Sequence, residues 1–457
     1  MIRLAAAAAL AVTLAAPSVM AQSLTDTLIA AYRNSSLLEQ NRAVLRAADE
    51  DVAQAVATLR PVVDWSIGAN LTNSDRRLVG FGRDTTELSG TLRIAAELTL
   101  FDFGANRFAL DAQKELVLAT RQSLVGVEHN VLFSAVASYQ DVRLAVETVA
   151  LRESNVRVIE RERQAARDRF ELGEVTRTDV AIAEARVAAA RSALEAARGQ
   201  LAVARESFNL NVGRFPGVLP PPPRAPATAR SVDEAKAIAR RTHYAILGAQ
   251  HEVAAAELFV ARAEAAMRPR LVGGAEYVLR DSGADQATLS LRLSQRLYAG
   301  GQFSALFRQA IARRDAARAR LARAASEVDD AVGRSWAQLQ VARASIAASR
   351  QQVAAAQAAF DGVREEATLG ARTTIEVLNA EQELLDARVN LLTALSNEYT
   401  ANYGLLAAMG LLTVQHLRLG VATYDPAAYY NAVSTAPATS GRGRALDRVM
   451  GSIGRAP

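Results

Sequence analysis

The chain is organised by a duplication that carries two offsets. Ser23 to Pro61 aligns without a gap with Ser231 to Pro269, 208 residues further on, and Leu172 to Gly213 aligns without a gap with Leu369 to Gly410, 197 residues further on. The second match holds 12 identities in 42 positions, among them Gly173/Gly370, Thr176/Thr373 and Glu184/Glu381. Alanine-rich segments match one another easily, so the shared Gly, Thr and Pro landmarks carry more weight than the identity count. The unit is a large supersecondary assembly, not a short solenoid repeat. Any fold that suits one copy must also suit the other.

Prolines mark where that unit starts and stops. None lies between Pro61 and Pro216 or between Pro269 and Pro426, and six of the twelve fall in Pro216 to Pro226. That cluster reads as a stiff polyproline linker over 214–230, between a first repeat (22–213) and a second (231–410). Long helices fit the proline-free stretches: Leu24 to Leu59, Gly104 to Glu171 and Thr176 to Val212, then Val232 to Met267, Gln302 to Thr368 and Thr373 to Met409. The middle helix of each copy would be roughly 100 Å long, and the outer two roughly 50–55 Å each. Two short helices laid end to end therefore match one long one, which predicts an antiparallel pair with one continuous and one stacked member. Aromatics are only 5 % of a chain that is 50 % apolar, a composition of long, closely packed helices.

Several function classes are excluded. With no cysteine there is no disulfide, no thiolate metal site and no lipid-modified N-terminal Cys. His129, His243, His251 and His416 are scattered, and no phosphate loop or nucleophile elbow is present. No catalytic, cofactor or metal site is expected. The net charge of +5 comes from arginines interleaved with acids, which makes solvated helix faces and not a nucleic-acid surface. Residues 1–21 read as a secretory signal peptide: Arg3, an apolar run from Leu4 to Ala16, and Val19-Met20-Ala21 before the cut. No later stretch is long and apolar enough for a transmembrane helix.

Between the first and second helices of each copy the apolar period changes to two. Val63, Trp65 and Ile67 alternate with Asp64, Ser66 and Gly68; Leu92, Ile94 and Leu98 alternate with Arg93 and Glu97; Leu289, Leu291 and Leu293 alternate with Ser290 and Arg292. Hairpins are expected at about 62–100 and 271–297, with strands of the length and pattern of a membrane barrel, apolar outside and polar inside. Four strands cannot close such a barrel, because an open edge in lipid leaves backbone groups unpaired. Several chains must share one.

In this order and spacing the landmarks carry a family resemblance. The paired copies, LFDFG at Leu100 to Gly104 with LYAGG at Leu297 to Gly301, GEVTRTDV from Gly173, GARTTIEVLNAEQELLDAR from Gly370 and YGLLAAMG from Tyr403 resemble a TolC-type outer-membrane efflux and secretion channel. The resemblance implies a mainly α fold with a β-barrel portion. Long helical hairpins would form an α-barrel tunnel, and four transmembrane strands per chain would be completed by trimerisation in outer-membrane lipid. It implies an exit duct of a tripartite efflux or type I secretion system, working with a periplasmic adaptor and an inner-membrane ABC or proton-driven pump.

The tips Leu172, Gly173 and Thr176, with Leu369, Gly370 and Thr373, would dock the adaptor. A periplasmic gate would involve Asp179, Arg372 and Glu376, with Arg372 reaching Asp179 of a neighbouring copy. Asn379 departs from the family pattern, standing where an Asp is common, as does Ala367 where a gating Tyr occurs. Tyr424 to Tyr430, in an equatorial segment over 411–434, is similar to a stretch of family members that serve type I secretion, and 435–457 reads as a disordered tail. The alternative is a soluble periplasmic coiled-coil adaptor or structural protein. The two offsets differ by 11 residues, which falls at about Asn73 to Glu87 and is expected as a longer outer loop in the first hairpin.

Overall fold

The computed structural model describes residues 22–436 apart from 79, 80, 282 and 284, together with 445 and 448. The expected signal peptide and most of the expected tail lie outside the described residues. The element order is α1 (Leu24–Asn34), α2 (Ser36–Ala57), β1 (Val62–Leu78), β2 (Phe81–Phe101), α3 (Ala105–Glu171), α4 (Arg177–Val212), α5 (Val232–Thr242), α6 (Tyr244–Ala265), β3 (Arg270–Arg280), β4 (Gln286–Ser294), α7 (Gln302–Thr368), α8 (Thr374–Ala408) and α9 (Pro426–Val433). The four strands form one antiparallel sheet in the order β1-β2-β3-β4.

Each copy lays down the same elements. α3 and α7 have 67 residues each, about 100 Å of continuous helix. Each begins after a left-handed glycine, Gly104 (φ +88°) or Gly301 (φ +84°), which turns the chain from strand to helix. In the first copy Asp102 fixes that turn, its carboxylate accepting from the Gly104 N–H at 3.0 Å and the Asn106 N–H at 2.9 Å.

The single helices expected over Leu24–Leu59 and Val232–Met267 are each broken once, at equivalent positions. Ser35 is extended (φ −69°, ψ 109°), and its hydroxyl accepts from the Leu38 N–H at 3.2 Å, so it ends α1 and caps α2. A serine side chain competes in this way with the helical ladder. In the second copy the break falls at His243, whose Nδ1 accepts from the Ala245 N–H at 3.2 Å. Apolar periodicity runs through both breaks, which is why periodicity did not reveal them.

The helices form four parallel columns. α3 packs on α2, α4, α6 and α8, and α7 packs on α5, α6 and α8. One edge is therefore α2 with α4, the other is α7, and stacked shorter helices alternate with the two long ones. The largest core lies midway along α3, where Leu132, Val136 and Tyr139 meet Leu28 and Tyr32 of α1, Phe208 and Val212 of α4, and Leu406 of α8. The proline-rich segment crosses this core and is held to it. The Tyr139 hydroxyl donates to the Pro220 carbonyl at 2.6 Å, and the Tyr399 hydroxyl to that of Pro223 at 3.0 Å. Extended chain without internal hydrogen bonds leaves its carbonyls free for such partners.

The 11 extra residues of the first hairpin do not make a longer loop. They continue the ladder, with Asn73 opposite Thr86 and Leu78 opposite Phe81. An extended insertion satisfies its own backbone N–H and C=O groups by pairing across the hairpin.

Candidate functional site

The sheet has two chemically distinct faces. Trp65 lies opposite Ile94 and Ile67 opposite Leu92; β2 continues the rows, with Ile94 opposite Tyr277, Leu92 opposite Leu279 and Leu98 opposite Gly273. Across the second hairpin Gly273 faces Leu291, Ala275 faces Leu289 and Leu271 faces Leu293. Directly opposed residues point to one side, so the expected positions Val63, Trp65, Ile67, Leu92, Ile94, Leu98, Leu289, Leu291 and Leu293 share one face. It is uncovered within the chain: Trp65 is 71 % exposed and Leu289 88 %. The other face carries Asp64, Ser66, Arg93, Glu97, Glu276, Ser290 and Arg292, with an Arg93–Glu276 ion pair at 2.9 Å. A sheet that is apolar and uncovered on one side and mostly polar on the other is matched to lipid outside and water inside.

Both layers end in unsatisfied edges. β1 and β4 each have one unpaired side. On the helical layer, exposed Leu37 and Val44 of α2 and Val203 and Leu210 of α4 line one edge, and exposed Leu306 and Val341 of α7 lie at the other. α4 also shows exposed Ala185, Ala189, Ser192, Ala196 and Gly199. Side chains this small permit a neighbouring helix to approach closely.

At the far end from the sheet, two turns project side by side. Gly173 (φ +78°) and Gly370 (φ +79°) take the left-handed conformation, and the N–H groups of Glu174 and Ala371 return to the carbonyls of Arg169 and Glu366, both at 2.9 Å. These bonds close α3 and α7 in the usual glycine-ended manner. Thr176 and Thr373 then open α4 and α8 with capping boxes to Asp179 and Glu376. Leu172 and Leu369, each just before its glycine, stand out into solvent, 75 % and 81 % exposed.

The gate candidates have partners already within one chain. Asp179 accepts from the Thr176 N–H at 2.9 Å and hydroxyl at 2.8 Å, which hold its carboxyl below the usual carboxylate range. Arg372 is clamped between Glu366 at 2.7 Å and Glu376 at 3.0 Å. Glu376 is itself held low, first by the Thr373 N–H and hydroxyl and then by Arg372. Asn379 accepts from Arg186 at 2.9 Å and so ties α8 to α4. Arg372 and Asp179 are not paired within the chain. Glu366 and Arg186 were not singled out from the sequence; the spacing Glu366-x5-Arg372 across a glycine turn was the available signal. Glu381, a landmark of the repeat to which the sequence assigned no role, is buried against Asn155 at 3.2 Å, and burial pushes its carboxyl up.

Among the described residues no group of three or more His, Cys, Asp or Glu is placed to hold a metal ion, and no helix is long and apolar enough to cross a membrane. The family profile described as "Outer membrane efflux protein" matches residues 28–214 and 237–411, one stretch per copy. The chain belongs to the outer membrane efflux protein family. It is 36 % identical over 421 residues to the outer membrane efflux protein BepC of Brucella suis, covering 91 % of each chain. It is 26 % identical over 453 residues to the proteases secretion protein PrtF of Dickeya chrysanthemi, covering 94 % of this chain and 97 % of that one. Its fold matches the CmeC outer membrane channel of Campylobacter jejuni with a TM-score of 0.77 at 12 % identity, covering 91 % and 90 % of the two chains.

Family membership gives the bare sheet its surroundings. The protein is an exit duct of the outer membrane that extends into the periplasm and serves efflux or secretion. It belongs with transport channels and not with enzymes. The soluble adaptor reading finds no support among these relatives.

Proposed function

We propose that three copies close head to tail into one channel, in which twelve strands form a barrel in the outer membrane and twelve helical columns form the periplasmic tunnel. The observation that carries this reading is the pair of open edges. In both layers they lie at opposite sides of the chain and are chemically complete only when covered. A joint between unlike edges repeats until rotation closes the ring, and a barrel in lipid tolerates no free edge. The apolar sheet face then contacts lipid, and the polar face lines the pore.

The exposed tips, Leu172-Gly173 with Thr176 and Leu369-Gly370 with Thr373, dock a periplasmic adaptor, which couples the duct to an inner-membrane ABC or proton-driven pump. Arg372, Glu376, Asp179 and Asn379 control the tip opening. In a closed ring Arg372 exchanges its own-chain acids for Asp179 of the next copy. The test is the mass of the detergent-solubilised protein with detergent subtracted: three chains support the reading, and a buffer-soluble monomer overturns it.

A further inference from the structure

α2 and α3 correspond residue for residue to α6 and α7, at offsets of 208 and 197. Asp49 is therefore the counterpart of Glu257, and Arg121 of Arg318. In the second copy these residues form a surface ion pair, Arg318 to Glu257 at 2.7 Å. In the first copy they do not. Asp49 is fully buried with neither carboxylate oxygen hydrogen-bonded, and the Arg121 Nε is buried and unpartnered as well. The same ion pair is made in one copy and broken in the other.

The difference lies in α9, which follows the second repeat and packs against α2 of the first. The Pro426 carbonyl accepts from Arg121 Nη2 at 3.3 Å, and the Tyr430 ring lies 5.1 Å from the same guanidinium. Just ahead of the helix, Tyr424 and Tyr32 enclose Arg42, each ring 5.4 Å from its guanidinium. Aromatic faces attract such cations more strongly where water is excluded. The Tyr429 hydroxyl donates to Glu50 at 2.6 Å, and Arg60 donates to the carbonyls of Thr435 and Ala436. Tyr424 and Tyr430 also pack on the apolar cluster of Leu45, Val52, Leu110 and Val117. Arg42 and Glu50 correspond to Gln250 and Leu258, which can make neither contact. The second copy thus keeps the ion pair and lacks the seat.

We infer that residues 424–433 are a releasable strap that competes with Asp49 for Arg121. Docked, the strap holds Arg121 against Pro426 and Tyr430 and leaves Asp49 enclosed without its partner. Lifted, it frees Arg121 to pair with Asp49 as Arg318 pairs with Glu257.

The two arrangements exclude each other because one guanidinium serves both. Aromatic and apolar contacts favour docking, and a carboxylate buried away from its cation opposes it. Protonation of Asp49 removes that opposition. The charged and titratable groups around it are Arg42, Arg46 and Glu50 on α2, Arg121 on α3, and Tyr424, Tyr429 and Tyr430 on the strap. Under the strap, burial raises the Asp49 carboxyl from 3.8 to about 6, with Arg121 opposing and Glu50 adding. Paired with Arg121 in the open, it would lie no higher than its ordinary value. Docking therefore takes up a proton. It is strongest below pH 3.8 and weakens as pH rises to about 6, by up to about a hundredfold.

The chain contains no cysteine, so a nitroxide on Asn431→Cys, at an exposed position of α9, reports the strap without background. Paramagnetic resonance of the full-length protein in lipid nanodiscs, from pH 7.5 to 4.0, gives the ratio of mobile to immobile label. That ratio is expected to fall at least about tenfold on acidification. Asp49→Asn should hold the label immobile at every pH. Glu257→Gln, at the pair with no strap above it, should leave the original response unchanged. Should the label be immobile throughout, Tyr424→Leu with Tyr430→Leu weakens docking, and acidification must then restore the immobile signal from a mobile one.

A ratio that is flat both with and without the two tyrosine substitutions overturns the strap, as does a label that stays mobile in Asp49→Asn. A pH response that survives Asp49→Asn overturns the exchange of Arg121 between the strap and Asp49. Equal effects of Asp49→Asn and Glu257→Gln also overturn it, because they would reflect a general loosening of the helices and not a competition beneath α9.

Discussion

His129 permits a quantitative test of how the middle of the tunnel is packed. It lies on α3, 2 % exposed, with neither ring nitrogen hydrogen-bonded. Its ring meets Tyr244 edge-on at 5.2 Å, and His243 stacks on the same tyrosine at 4.4 Å. Burial, with His243 nearby, lowers its pKa from 6.5 to about 4; the Ala407 carbonyl beside the ring offsets only part of this because it falls short of hydrogen-bond geometry. The sign follows from linkage. Below pH 6.5 the unfolded chain takes up a proton that the folded chain refuses, so stability falls as pH drops toward 4. At about 1.4 kcal/mol per unit, this shift amounts to about 3 kcal/mol over the whole window and about 2.5 kcal/mol at pH 4.5. His129→Leu removes the titration and forfeits no hydrogen bond. The assay is the guanidinium midpoint for loss of helix in detergent, measured for both proteins from pH 7.5 to 4.5, so that every other titrating group cancels. The wild type is expected to lose stability relative to the variant across this range. Parallel profiles would refute the reasoning, because they would mean that the imidazole is solvated or finds a partner when charged.

Asp49 should show the opposite slope. It is fully buried on α2 with both carboxylate oxygens unpartnered, and its pKa is raised to about 6, chiefly by burial, with Arg121 opposing. Stability it supports in the protonated form is lost as pH rises from about 4 to about 6, so Asp49→Asn should gain up to about 3 kcal/mol over wild type at pH 7 and nothing at pH 3.5 in the same denaturation series. Arg372→Ser should raise single-channel conductance in planar bilayers, and unchanged conductance removes Arg372 from the gate. Leu172→Asp with Leu369→Asp should abolish co-purification of the adaptor while leaving the oligomer intact, since both side chains project from closed turns. Gly410→Ala should destabilise by on the order of 2 kcal/mol or more in thermal melts, because a Cβ there would lie 2.7 Å from the His243 Cα at φ +74°. Full stability of that variant would mean that the α8 end and the α5–α6 break are not in contact.

The features legible in the sequence were those set by periodicity and punctuation. Alternation over Val63–Ile67 and Leu289–Leu293 revealed strands because each strand is bare on both sides. No tertiary packing overrides the pattern there. The tips were legible because the turn chemistry is local: glycine in the left-handed region, then threonine with an acid three residues on. What stayed hidden depends on groups far apart in the chain. Ser35 and His243 each cap the helix that follows, but the His243 break also packs against Gly410, 167 residues away, where a Cβ would lie 2.7 Å from the His243 Cα. The attachment of the proline-rich segment depends on Tyr139 and Tyr399, which nothing near Pro220 announces. The Arg372 clamp needed the geometry of a turn as well as its residue types.

The second offset shows best how sequence and structure divide the work. An 11-residue difference inside a duplicated unit has to be absorbed where it disturbs no ladder and no helix column, which places it at the hairpin end away from the helices. That much follows from the alignment alone. The expected longer loop does not form: the ladder down to Leu78 opposite Phe81 shows that the insertion pairs with itself. The first hairpin is therefore taller than the second, while Val62/Glu97 and Arg270/Ser294 remain in the same relation at the base. A ring of such chains would alternate tall and short hairpins above a common base, and only that base must keep register from copy to copy. The duplication can thus tolerate length differences at the outer end, while the base of each hairpin keeps the same pairing.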